Sequence, residues 1–204
     1  MYPQVANFIA ERMDEFDQIP PARKHELEAL AKFVSARRDA GDAADLTFIC
    51  THNSRRSHLA QLWAAVAAAQ HGLKHVTTYS GGTEATAFNP RAVAALERLG
   101  FEIEKGPEAD NPRYQVRFAE DQDPLVCFSK VYSSPPNPSS DYCAVMVCGH
   151  ADESCPTVTG ATLRIAITYE DPKVADDTPA EAERYDERCA QIAREMLYAF
   201  AQVD

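Results

Sequence analysis

Cys50-Thr51-His52-Asn53-Ser54-Arg55-Arg56-Ser57 gathers one thiol, three hydroxyls and two guanidinium groups into eight consecutive residues. A thiol becomes a strong nucleophile where cations or a helix N-terminus favour the thiolate. Arg56 follows Cys50 after five residues, and its planar fork can grip two oxygens of a tetrahedral oxyanion. Ser57 can donate a hydrogen bond to the sulfur. The residues between can turn backbone N–H groups inward around an anion. Thr51, His52, Asn53, Ser54, Arg55, Arg56 and Ser57 are therefore the candidate oxyanion-binding residues, with Cys50 as candidate nucleophile. Such a set suits attack on phosphate, arsenate or a similar centre. The bland alternative is a buried cysteine beside two solvated arginines. Two cations on a first helical turn oppose the helix dipole unless an anion compensates them, which weighs against it.

Two further thiols, Cys148 and Cys155, frame Gly149-His150-Ala151-Asp152-Glu153-Ser154 and are followed by Pro156. Cys148 ends an unbroken apolar run over 142–148, so it sits where a buried strand gives way to a loop. Seven residues of helix span about 10 Å, and a disulfide tolerates a Cα separation of about 7 Å at most. A helix between these cysteines would have to unwind before they could bond. A carboxyl group, Asp171 in Glu170-Asp171-Pro172, follows the next apolar run and is the candidate general acid. An aspartate before proline is also a common turn residue. Cys127, Cys143 and Cys189 read as core residues. His25, His71 and His75 suggest no site. His150 lies between two cysteines, where it could influence them, and a plain exposed polar residue accounts for it equally well.

The elements that must position these groups alternate along the chain. Strands are predicted over 46–49, 76–80, 142–148 and 163–169, with the run at 142–148 apolar enough to be covered on both faces. The thiol loop joins the first strand to a helix that begins near Leu59 and stops at His71-Gly72. Gly81-Gly82 is expected to turn the chain, and Pro90 opens a helix closed by Gly100. Thr178-Pro179-Ala180-Glu181 reads as a capping box ahead of the last helix, where Tyr185, Cys189, Ile192, Met196 and Phe200 recur at helical spacing. The fold class is α/β: a four-stranded, mainly parallel sheet with helices on both faces. Residues 1–41 read as a separate pair of amphipathic helices broken at Ile19-Pro20-Pro21. They form either a docked cap or a homodimerisation element, with simple packing the better account. Residues 42–204 form the α/β domain. Residues 106–141 interrupt its rhythm as an inserted hairpin and loop, whose role cannot be read from residue types.

The net charge of −11 excludes nucleic acid as the main partner, because phosphate backbones need basic faces. It also leaves Arg55, Arg56 and His58 to create a local positive site on an acidic protein. No apolar run is long enough to span a membrane, and the N-terminus lacks a signal-peptide pattern. A cytoplasmic location is the default, where six cysteines do not form a structural disulfide framework. They contain no Cys-x-x-Cys pair and no paired histidines, so neither a metal site nor a cofactor is expected.

The loop at 50–57 resembles the phosphate-binding loop of the low-molecular-weight protein tyrosine phosphatase superfamily, which includes thioredoxin-coupled arsenate reductases. The likeness continues through Ser80-Gly81-Gly82-Thr83-Glu84-Ala85 and Asn89-Pro90, and covers 45–105 and 142–200. The resemblance implies that Cys50 and Arg56 are catalytic, that Asp171 is the acid, and that Asn53 holds the loop in shape. His52 departs from it, standing where the family usually has glycine. Either the backbone there needs no positive φ, or the loop is distorted. The stretch 148–156 resembles the redox segment of the arsenate reductase branch. That likeness implies arsenate reduction with Cys148 and Cys155 as further catalytic residues. Cys50 attacks arsenate, Cys148 attacks Cys50, and Cys155 attacks Cys148, leaving a disulfide for thioredoxin. The alternative is hydrolysis of a phosphotyrosine protein or small phosphate ester by Cys50, Arg56 and Asp171. Lys173-Val174-Ala175 lacks the aromatics that flank a phosphotyrosine ring in the family. A third reading is a non-catalytic anion-binding or redox-sensing module.

Overall fold

The computed structural model describes residues 1–154 and 157–203. Four strands, β1 (Ala44–Cys50), β2 (Val76–Gly82), β6 (Tyr142–Met146) and β7 (Ala161–Ala166), form a parallel sheet in the order β2-β1-β6-β7. Successive side chains on a strand point to opposite faces. On β1, Leu46, Thr47, Phe48, Ile49 and Cys50 are all buried, as is every residue of β6. Both faces of the sheet centre are therefore covered, and a nearly continuous apolar run is what such strands require.

The covering helices are α1 (Pro3–Met13), α2 (Pro21–Ala40), α3 (Arg56–Gln70), α4 (Pro90–Arg98), α5 (Gly149–Ser154) and α6 (Glu181–Ala201). No helix among the described residues is long and apolar enough to cross a membrane. The apolar residue Trp63 on α3 is fully buried and gathers rings from distant segments. Phe8 of α1 lies 5.1 Å from it between centroids, and Phe101 meets it edge-on at 5.2 Å. Val5, Ile9, Ile19, Leu27, Leu30 and Val34 enter the same core cluster. Gly41 ends α2 in the left-handed conformation at φ +76°, as a helix-stopping glycine should. The first 41 residues are helical as expected, and their apolar faces are buried within their own chain.

The stretch from 102 to 127 contributes more order than its sequence advertises. β3 (Glu102–Lys105), β4 (Tyr114–Arg117) and β5 (Leu125–Cys127) form an antiparallel sheet in that order. β4 and β5 are the expected hairpin. β3 was not expected, because Glu102-Ile103-Glu104-Lys105 carries a single apolar residue and sits on an edge.

Three expectations need correction. Gly81 and Gly82 are the last residues of β2 and make no turn. They are needed for close backbone approach: a Cβ on Gly81 would lie 2.3 Å from Tyr132 Cα, and one on Gly82 2.7 Å from both Asn53 N and Thr51 O. The capping box does not form. Thr178 Oγ1 donates to Ala175 O at 2.7 Å, and the Glu181 carboxylate accepts from Asp177 N–H and Arg91. Local turn bonds and a long-range cation take both partners. The last two strands also end early. Beyond them Val147 N–H still donates to Ile49 O at 2.8 Å, and Tyr169 N–H to Val147 O at 3.1 Å. The ladder opens as the chain bends toward Cys148 and Asp171.

Because α2 shares the core, Leu30→Ala should cost about 2–5 kcal/mol of unfolding free energy by urea denaturation. A loss below about 0.5 kcal/mol, the range of an ordinary surface change, would show instead that the first two helices are loosely attached.

Candidate active site

All four parallel strands run the same way, so the chain leaving each of them emerges at one sheet edge. Cys50 is the last residue of β1, buried to 4% exposure. Cys148 lies two residues past β6, the strand beside β1. Asp171 follows β7 after a short bend.

The thiol loop is shaped by Asn53, which is fully buried and holds φ at +44°. Asparagine tolerates that left-handed region better than most residues. Its amide orientation is fixed by its partners. Lys130 N–H donates to Asn53 Oδ1 at 2.9 Å, which leaves Nδ2 to donate to Ser57 Oγ at 2.8 Å. The Ser57 hydroxyl, now accepting, has its hydrogen free for Cys50 Sγ at 3.1 Å. A donor to the sulfur stabilises a thiolate. His52 does not have a positive φ, so the loop closes without a glycine there. The exposed His52 ring pairs instead with Glu84, Nε2 to Oε1 at 3.0 Å.

The two arginines diverge. Arg56 donates to Tyr169 O at 3.0 Å and to Asp171 Oδ2 at 2.5 Å. Asp171 Oδ1 also accepts Lys173 N–H at 3.1 Å. Asp171 is thus both the turn residue and the partner of the loop arginine. Arg55 is diverted: Nε donates to Tyr185 OH at 2.6 Å and Nη2 to Asp176 Oδ2 at 2.8 Å. Its guanidinium was expected to face an oxyanion and is engaged by α6 and the preceding loop. Burial pushes the Tyr185 phenol up to about 12, so it stays protonated and donates to Asp176. His58, counted with the arginines as a local cation, is fully buried. It is stacked on Phe88 at 4.0 Å, and burial drives its pKa well below the usual value. It is neutral and adds no charge to the site.

The remaining loop groups knit the edge together. Thr51 O accepts Glu84 N–H at 2.9 Å, and Ser54 O accepts Asn89 N–H at 2.9 Å. Thr51 Oγ1 lies 3.6 Å from Cys148 Sγ and 3.3 Å from His150 Nδ1. Cys148 also receives Ala151 N–H at 3.3 Å as α5 begins. Cys155 lies outside the described residues. Cys127, Cys143 and Cys189 are buried thiols that desolvation pushes up to about 12, which keeps them inert.

The profile of the family Low molecular weight phosphotyrosine protein phosphatase matches residues 45–114. An arsenate reductase from Halalkalibacterium halodurans is 30% identical over 138 residues, covering 66% of this chain and 78% of that protein. The chain belongs to the low-molecular-weight phosphatase superfamily, with the arsenate reductases. An arsenate reductase from Bacillus licheniformis is 28% identical over 155 residues, covering 76% of this chain and 93% of that protein. Among solved structures, a low-molecular-weight phosphotyrosine phosphatase from Vibrio cholerae superposes with a TM-score of 0.50 at 15% identity. It covers 78% of this chain and 95% of its own. At that identity it speaks for the superfamily fold alone.

What sequence reasoning missed in this superfamily member is the brace from the insertion. Ser129 Oγ donates to His52 O at 2.9 Å, Lys130 N–H holds Asn53, and Gly82 N–H donates to Lys130 O at 2.9 Å. Two of these three contacts use backbone atoms of Lys130, which no residue-type signal could reveal. The Lys130 side chain is itself buried, with Nζ 4.8 Å from the Phe128 ring centroid. Burial lowers its pKa from 10.5 to about 8, with Cys127 opposing weakly. Below about pH 8 the folded protein must hold a desolvated ammonium that the unfolded chain solvates freely. The stability assigned to Lys130 is therefore least at low pH and rises as pH climbs from 8 toward 10.5. Lys130→Met keeps the backbone brace and removes the charge. Its stability advantage over the natural protein should shrink by about 1 kcal/mol between pH 7 and pH 9, by urea denaturation at each pH. A constant difference would show that the ammonium is not desolvated.

Proposed function

We propose that this chain reduces arsenate to arsenite, with Cys50 as nucleophile and Cys148 and Cys155 as a disulfide relay. The observation that carries the reading is the second thiol at the rim of the first one's loop. Cys148 Sγ is buried within 3.6 Å of the Thr51 hydroxyl, on the strand end next to that of Cys50. Hydrolysis needs no such thiol.

In the proposed cycle, backbone N–H groups of residues 51–57 and the Arg56 fork hold the arsenate oxygens. The Cys50 thiolate attacks arsenic and a hydroxyl leaves as water, its proton coming from a second arsenate hydroxyl and passed on by the Asp171 carboxyl group once Arg56 has released it. Cys148 then attacks Cys50 Sγ. The electron pair of the S–As bond passes to arsenic, which departs as arsenite, and a Cys50–Cys148 disulfide remains. Attack of Cys155 on Cys148 frees Cys50, and a dithiol protein such as thioredoxin reduces the last disulfide and supplies the two electrons. Such a cycle suits a reducing compartment, as the cytoplasm is. α5 supports the expectation of a helix between the two relay cysteines. The Cys148–Cys155 bond therefore requires it to unwind, releasing the Arg164 contacts to Asp152 O and Oδ1.

Arsenate-dependent turnover with thioredoxin and hydrolysis of p-nitrophenyl phosphate separate the readings. Cys50→Ser should abolish both. Cys148→Ser should cut arsenate turnover by at least about a hundredfold while hydrolysis persists. Full arsenate turnover in Cys148→Ser would sink the relay. Hydrolysis without any arsenate turnover by the natural protein would mark a phosphatase. Inactivity in both assays would favour a non-catalytic anion-binding module.

A further inference from the structure

A buried resolving thiol has a problem that the relay does not solve by itself. Cys148 must attack as a thiolate, yet it is 1% exposed and cannot pass its proton straight to water. The Thr51 hydroxyl touches it at 3.6 Å and touches His150 Nδ1 at 3.3 Å. A threonine hydroxyl carries one hydrogen and two acceptor lone pairs. It can accept from the Cys148 S–H and at the same time donate to an unprotonated Nδ1. His150 is exposed, so a proton that reaches it can go on to solvent. We propose that His150 is the proton acceptor for Cys148, acting through the Thr51 hydroxyl.

The proposal rests on the reading of Cys148 as the thiol that attacks Cys50. As the S–H proton moves to Thr51 Oγ1, the Thr51 proton moves to His150 Nδ1. The sulfur keeps the electron pair and gains the Ala151 N–H at 3.3 Å as a donor to the new charge. Imidazole suits this task because one ring nitrogen can take up a proton while the other gives one up. Three nearby carboxylates are otherwise occupied. Asp152 of α5 is paired with Arg164, and Glu84, beside the Thr51 backbone, is paired with His52. Asp171 is held by Arg56. His150 is a positioning and proton-accepting residue that never touches the oxyanion, so its removal should act on the second chemical step.

Hydrogen peroxide isolates that step without arsenate. It oxidises the Cys50 thiolate to a sulfenic acid with release of hydroxide. Attack by the Cys148 thiolate then gives the Cys50–Cys148 disulfide and a second hydroxide. In the full chain carrying Cys155→Ser, the two rates are read separately by acid quench, alkylation and mass spectrometry. His150→Ala should slow disulfide closure, relative to sulfenate formation, by about tenfold to a hundredfold, and added imidazole should restore it. Thr51→Val should slow closure similarly with no rescue by imidazole, while Thr51→Ser should close near the natural rate. The double variant His150→Ala, Thr51→Val should be no slower than either alone. A purely structural role for His150 predicts no imidazole rescue, and that result overturns the relay of the proton. Closure at the natural rate in His150→Ala overturns it as well, while leaving the disulfide relay intact. Absence of closure in the parent chain would overturn both.

Discussion

Asn53 is the residue on which the site's geometry turns. A left-handed backbone at a non-glycine position costs energy, and burying a whole amide costs more unless each polar atom is matched. Both costs are met by the same two bonds, one from Lys130 N–H and one to Ser57 Oγ. Their polarity propagates: a fixed carbonyl fixes the amide, the amide fixes the serine, and the serine is left as a donor to Cys50. The loop's shape and the hydrogen bond at the sulfur are therefore a single arrangement. This also explains how His52 can replace a glycine, since the positive φ sits one residue later.

That arrangement depends on chain from outside the α/β core. Lys130 reaches Asn53 because the stretch after β5 runs alongside Gly82, an approach that a Cβ on Gly81 would block at Tyr132, while a Cβ on Gly82 would collide with the thiol loop itself. The insertion thus supports the loop from one side. On another side, α3 begins at Arg56, and Arg55 ties its start to Asp176 and Tyr185. The first 41 residues act further back, through Phe8 on Trp63 in the middle of α3. None of these segments carries chemistry, but each bears on where the thiol loop sits.

The loop itself was readable because its parts are contiguous and its context is a strand before and a helix after. The sheet was readable because buried parallel strands are apolar without interruption, as at Tyr142–Met146. Strand ends were misjudged for a physical reason: composition stays apolar past the point where the ladder opens to form the site. β3 was missed because an exposed edge strand has no pattern to show. Arg55 misled because a guanidinium suits an oxyanion and a carboxylate equally, and its partners lie 121 and 130 residues away. His58 misled because nothing local reveals that it is stacked under Phe88 in the core. The Lys130 brace was out of reach for the opposite reason, since it works through backbone atoms that every residue has.

Charge balance gives the site its last constraint. On a protein of net charge −11, no loop cation waits for an anion unpaired: Arg55 holds Asp176 and Arg56 holds Asp171. The Arg55 pair is mostly buried and shares Tyr185, so exchanging its partner would leave a buried carboxylate with only Tyr185 and a more distant Arg91. The Arg56 pair is different, because the Asp171 side chain is 31% exposed and can be rehydrated when released. On the proposed reading, an incoming oxyanion competes for Arg56 alone. Binding it turns the arginine fork from carboxylate to substrate and frees Asp171 beside the leaving group. Anion capture and release of the carboxylate that relays the proton are then one event, driven by the exchange of a single ion-pair partner.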